Sequence, residues 1–111
     1  MLLGGELSVS EFKPQKPRIV CLDGFSISIQ ASRFAYCSPR ENEGPYSHVE
    51  CGFPSHIPGW ELLTYAEDGC DPTNTIYPWV PYDIVRAELL SHGGPVLLQP
   101  LLTIDGFLES L

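Results

Sequence analysis

The sequence predicts an α+β domain: a small antiparallel β-sheet of three to four strands with two short helices packed on one face. Three observations carry that prediction. Phe25 to Ala31 alternates apolar and polar residues without a break, the period of a half-buried strand. Asp23-Gly24 separates this run from the β-rich Arg18–Leu22, a strong short-range hairpin signal. Pro81 to Gly94 carries both punctuation marks of a helix, a proline at the start and glycines at the close.

Taken in order, residues 1–17 read as a lead-in segment. It ends in Lys13-Pro14-Gln15-Lys16-Pro17, where two prolines exclude a helix interior or a central strand. Residues 18–94 form the single domain. Its hairpin places Phe25, Ile27, Ile29 and Ala31 on a core face and Ser26, Ser28 and Gln30 on a polar one. Residues 38–47 hold two prolines and three charges and read as a loop. His48 to Phe53 alternates again and is closed by Pro54-Ser55, giving a third strand. Trp60 to Glu67 is expected to be a helix of about two turns, stopped by Asp68-Gly69. Thr73 to Val80 suggests a short strand, placed at an edge or a bulge by Pro78. The second helix takes Pro81 as its first residue and buries a stripe of Tyr82, Val85 and Leu89, widened by Ile84. Residues 95–111 are an apolar C-terminal extension with Leu97, Leu98, Leu101, Leu102, Ile104, Phe107, Leu108 and Leu111. Such a segment is expected to pack on the domain or to join two copies as a homodimer.

The 111 residues carry six basic and fourteen acidic side chains, a formal charge of −8. The excess is one-sided: residues 1–40 sum to +2, whereas residues 41–111 hold Arg86 against eleven acids. Such a chain repels a phosphate backbone, so direct nucleic-acid binding is not expected, and it attracts basic surfaces instead. Met1–Glu6 shows no secretion signal, and the run Val96–Ile104 is broken by Gln99 and Pro100. A membrane span needs about twenty apolar residues, so none is expected.

No nucleophile-elbow, zinc-protease, Walker or dinucleotide-binding motif occurs, so the chain is not expected to be an enzyme and no cofactor is implied. Cys21, Cys37, Cys51 and Cys70 are too widely spaced for a zinc ribbon and read as reduced thiols, Cys21 and Cys51 in apolar strands. Cys37 with His48, or Cys51 with His56, could be drawn as a nucleophile pair, but three histidines and four cysteines make such pairs easy to find by chance. Glu41/Glu43 and Glu67/Asp68/Asp71 could offer oxygen to a cation but match solvated loops as well.

Two binding surfaces remain. Ser26, Ser28, Gln30, Arg33, Tyr36, Arg40 and Tyr46 supply hydroxyls, an amide, guanidiniums and rings, a kit for a phosphate or nucleobase. The simpler reading of the serines is the wet side of a sheet. Tyr77, Trp79 and Tyr82, set among prolines and near Glu61, Glu67, Asp68 and Asp71, form an acidic and aromatic surface suited to a basic protein. The same rings are also natural core filling.

Several phrases carry a resemblance: Leu22-Asp23-Gly24-Phe25-Ser26 through Gln30-Ala31-Ser32, Tyr36-Cys37-Ser38-Pro39-Arg40, Gly44-Pro45-Tyr46, Gly52-Phe53-Pro54-Ser55, Tyr65-Ala66-Glu67-Asp68 and Ser91-His92-Gly93-Gly94. Over residues 20–94 the chain resembles a set of small proteins encoded by bacteriophages and prophages. That resemblance implies an accessory protein acting in the host cytoplasm during infection, by stoichiometric binding. Blockade of a host defence complex, in the manner of anti-CRISPR proteins, is the first expectation. Sequestration of a nucleotide immune signal is the second, and a virion or accessory component the third.

Overall fold

Ile27 and Ile29 are buried and Ser26, Ser28 and Gln30 half-exposed in β2 (Ser26–Gln30), the alternation that a pleated backbone imposes. The computed structural model describes residues 16–96. Within them β1 (Ile19–Val20), β2, β3 (His48–Gly52) and β4 (Ile76–Pro81) form one sheet in the order β1-β2-β3-β4. Every neighbouring pair is antiparallel. The register sets Ile19 beside Ile27, and Ile29 beside Cys51, which in turn faces Tyr77, so the apolar side chains run as rows across one face.

Helices α1 (Trp60–Leu63) and α2 (Tyr82–Ser91) cover that face. Leu62, Val85 and Leu89 join Phe25, Ile27, Ile29, Val49, Cys51, Tyr77 and Val80 in one buried cluster. The predicted α+β architecture, with both helices on the core face, is therefore the observed one. Fully burying each of these larger aliphatic side chains contributes about 1.5–3 kcal/mol, which makes this cluster the main source of stability.

Three local departures from the sequence reading have physical causes. The first helix has one α-helical turn rather than two. Beyond Leu63 the bonds tighten, with Tyr65 N–H donating to Leu62 O and Ala66 N–H to Leu63 O. Glu67 N–H then donates to Ile76 O, so the backbone joins the start of β4 instead of continuing the helix. Pro81 is the N-cap of α2 and the last residue of β4, not the first helical residue, so strand and helix abut without a loop. The strand expected over Thr73–Val80 begins only at Ile76. Asn74 N–H is taken by Asp71 O, and Thr75 Oγ1 accepts from Asp68 N–H, which keeps the preceding residues in a turn.

The ends of the hairpin and of α2 meet. At the β1–β2 turn, Gly24 has φ +96°, and Asp23 Oδ1 accepts the Phe25 N–H at 2.9 Å. At the end of α2, Gly93 N–H donates to Leu90 O and Gly94 N–H to Leu89 O, the paired bonds of a Schellman close. Gly93 sits at φ +88°, and a Cβ there would lie 2.9 Å from Leu22 Cβ, so both backbone conformation and close approach demand glycine. The chain then turns back along β1, with Leu22 N–H donating to Gly94 O and Val96 N–H to Val20 O. Most of the lead-in (residues 1–15), most of the apolar extension (residues 97–111) and the dimer contact expected of it lie outside the described residues. No helix among the described residues is long and apolar enough to cross a membrane.

Candidate functional site

A register shift opposite Val49 and Cys51 inserts one extra residue into β4, which makes a bulge at Pro78-Trp79. The bulge explains why Tyr77 and Val80, three apart, both point into the core. It also throws Trp79 outward, 45% exposed, with its backbone at φ +50°. The left-handed region costs a residue with a Cβ about 1–2 kcal/mol, and in a half-exposed tryptophan on an edge strand that strain marks a functional candidate.

The loop 31–47 between β2 and β3 supplies the partners. Loops beyond about 12–15 residues are uncommon in small domains and are often functional. This one is fixed by its own bonds: Tyr46 O–H donates to Glu41 O, Arg33 N–H to Asn42 Oδ1, and Ser38 pairs with His48. The peptides before Pro39 and Pro45 are cis. Tyr36 N–H donates to Glu50 Oε1 at 2.9 Å, and Trp79 N–H donates to Tyr36 O at 3.0 Å. The two rings meet with centroids 5.0 Å apart and planes 41° apart, a tilted aromatic pair. The Arg40 guanidinium lies 5.1 Å from the Tyr36 ring centroid, within cation–π range. Beside it is an open cavity of about 560 Å³ lined by Arg33, Arg40, Glu41, Asn42 and Glu43.

The structure thus joins Tyr36 and Arg40 of one expected surface to Trp79 of the other. Phe34, which the sequence reading did not select, is also exposed on this loop. Its alternation signal was hidden because the loop follows no period.

Other expected contact residues are placed differently. Tyr77 is fully buried and donates its hydroxyl to Pro72 O at 2.6 Å, so it belongs to the core and not to a contact surface. Burial and the nearby Cys51 and Glu88 push its phenol up to about 12. Tyr46 is also buried, its phenol raised first by burial and then by Cys37, Glu41 and Glu43, so it braces the loop from beneath. Tyr82 is half-buried against the core cluster.

The Ser/Gln face is largely occupied by the protein itself. Ser26 Oγ accepts from Arg18 Nε, Gln30 Nε2 donates to Ser28 Oγ, and the Gln30 amide exchanges two bonds with the Lys16 backbone. These groups brace the sheet, and none of them lines the cavity that Arg33 and Arg40 share. The acids Glu61, Glu67, Asp68 and Asp71 are all exposed, on α1 and the turns that lead into β4.

Cys21, Cys37 and Cys51 are buried and Cys70 is exposed, and none of the four forms a disulfide. Burial, with Asp23 and Glu88, raises the Cys21 thiol to about 11; burial raises Cys51 further. A nucleophilic thiol needs the opposite shift. His48 and His56 turn Nδ1 to the neighbouring Ser47 and Ser55 hydroxyls. Among the described residues no group of three or more His, Cys, Asp or Glu gathers to hold a metal ion. No family model matches the chain, and neither a curated protein nor a solved structure shows significant similarity to it.

Proposed function

We propose that this chain is a non-catalytic, phage-encoded counter-defence protein that binds and blocks a host immune complex of the CRISPR type. It would do so by laying an acidic and aromatic surface on a basic, nucleic-acid-binding face. The observation that carries this reading is Trp79, held outward in a left-handed bulge and backed by Tyr36. Tryptophan, tyrosine and arginine are enriched among the residues that dominate protein contacts, and the bulge leaves Trp79 45% exposed on a strained backbone although it also packs on Tyr36. The acids support the same reading: Glu61, Glu67, Asp68 and Asp71 are exposed on the segment that feeds β4. Opposite potentials steer association and make it salt-sensitive.

The test is direct binding of the purified chain to a CRISPR effector complex, followed by competition with its nucleic acid. Binding is expected to weaken with salt and to fall about 30-fold or more in Trp79→Ala, the loss of a hot spot of roughly 2 kcal/mol. Absence of any complex with effectors from the phage's own host would overturn the reading.

One observation favours a second reading, sequestration of a nucleotide signal: Arg33 and Arg40 line one cavity beside the Tyr36 ring. Glu41 and Glu43 share that cavity and oppose a phosphate, which ranks this reading below the first. Here a cyclic nucleotide raises the melting temperature, and Arg33→Ala or Arg40→Ala abolishes the rise.

A further inference from the structure

We propose that Asp23, His92 and Glu88 form a protonation-dependent clip that fastens the start of α1 to the end of α2 and to the β1–β2 turn. His92 Nδ1 lies 2.7 Å from Asp23 Oδ2, and its Nε2 lies 2.9 Å from Glu88 Oε2. An ionised carboxylate can only accept, so both ring nitrogens must donate, and the ring that satisfies this geometry is the imidazolium. The imidazole is held flat on the Phe25 ring, centroids 3.9 Å apart and planes within 2°. Glu88 is the pivot. Only 8% exposed, it also accepts the Gly59 N–H through both oxygens, at 3.1 and 3.3 Å. Gly59 is the N-cap of α1, and the Glu88 carboxylate accepts its backbone N–H as the glutamate of a capping box does, satisfying one of the unpaired donors at the helix start. One proton on His92 therefore bears on three segments far apart in sequence.

Loss of that proton leaves a neutral ring with a single N–H for two carboxylates. A nearly buried glutamate then faces a lone pair, or Asp23 does, and the contact that survives is the weaker neutral one. Glu88 loses its counter-charge while still tied to Gly59. The groove of about 180 Å³ between α1 and α2 is lined by Gly59, Trp60, Leu62, Ile84, Ala87 and Glu88. Release of the clip loosens one wall of that groove.

The groups bonded to His92 are two acids, Asp23 from the hairpin turn and Glu88 from α2; around them Cys21 of the hairpin interacts with both acids, and His56 of the loop before α1 interacts with Asp23. Burial alone lowers the His92 basicity, but the hydrogen bonds to Asp23 and Glu88 outweigh it and raise it above the ordinary 6.5. Asp23 is lowered below 3.8, first by the Phe25 N–H and then by His92. The histidine's contribution to stability is thus complete below 6.5 and is lost as pH rises through its raised folded value. The aspartate's contribution is present above 3.8 and is lost as pH falls through its depressed one.

The experiment is an NMR titration of the full chain that follows the His92 imidazole and the Gly59 amide together. The expected result is a His92 midpoint above 6.5, with the Gly59 amide shift and its hydrogen exchange changing several-fold at the same midpoint. Asp23→Asn, which keeps an acceptor for Phe25 N–H and adds no bulk, is expected to lower the His92 midpoint without unfolding the chain. His92→Gln is expected to remove the titration of the Gly59 amide. A His92 midpoint at or below 6.5, or a Gly59 amide indifferent to it, overturns the clip.

Discussion

Replacing Trp79 by alanine and, separately, by glycine separates the backbone strain at the bulge from the ring it displays. Both substitutions delete the indole and its contact with Tyr36, so the difference between them reports the backbone alone. At an ordinary strand position glycine is less stable than alanine by roughly 0.5–1 kcal/mol, because it loses more freedom on folding. At φ +50° the alanine Cβ keeps a left-handed penalty of about 1–2 kcal/mol that glycine does not have. The two terms oppose each other, and the second is larger. Trp79→Gly should therefore be more stable than Trp79→Ala by about 0.5–1 kcal/mol, the reverse of the usual order. Urea unfolding read by far-UV circular dichroism measures this as a shift in midpoint at unchanged slope. If alanine proves equal to or more stable than glycine, Trp79 is not strained, and the argument that its display serves binding loses its ground.

The remaining predictions concern packing, thiols and charge. Gly93→Ala should cost about 2–4 kcal/mol, combining left-handed strain with the clash against Leu22 Cβ, whereas Gly94→Ala, with nothing within 4 Å of its Cβ, should cost about 1 kcal/mol; chemical denaturation compares them. A thiol reagent at pH 8 should label Cys70 quickly in the native chain and all four cysteines only after unfolding, since the other three are buried. Glu61→Lys and Glu67→Lys, at exposed positions, should leave stability within about 0.5 kcal/mol while slowing association with a basic partner; a denaturation curve beside stopped-flow binding reads both.

Much of the fold was legible because its signals are local. The alternation of Ser26–Gln30, the Asp23-Gly24 turn and the Gly93-Gly94 close each act over a few residues, and each appears where the pattern places it. Length and inward direction were less legible where a distant strand intervenes. Glu67 leaves the helix because Ile76 O is available, and Tyr77 turns inward because a bulge resets the alternation. The site divides in the same way. Trp79, Tyr36 and Arg40 were each visible as types, but their meeting depends on a loop that crosses to the β4 edge. Glu88 and His92 stand four residues apart on one helix face, a readable pair. Asp23, sixty-nine residues away from His92, carries no such mark.

The central claim is action by occupancy, and the stoichiometry of inhibition tests it most directly. A CRISPR effector held well above the dissociation constant is titrated with the chain while its target binding is followed to completion. The account predicts a sharp endpoint at one or a few equivalents, unchanged by longer incubation and reversed by salt. Progressive loss of effector activity at a small fraction of an equivalent would mean that the chain turns over its target, and would contradict the account.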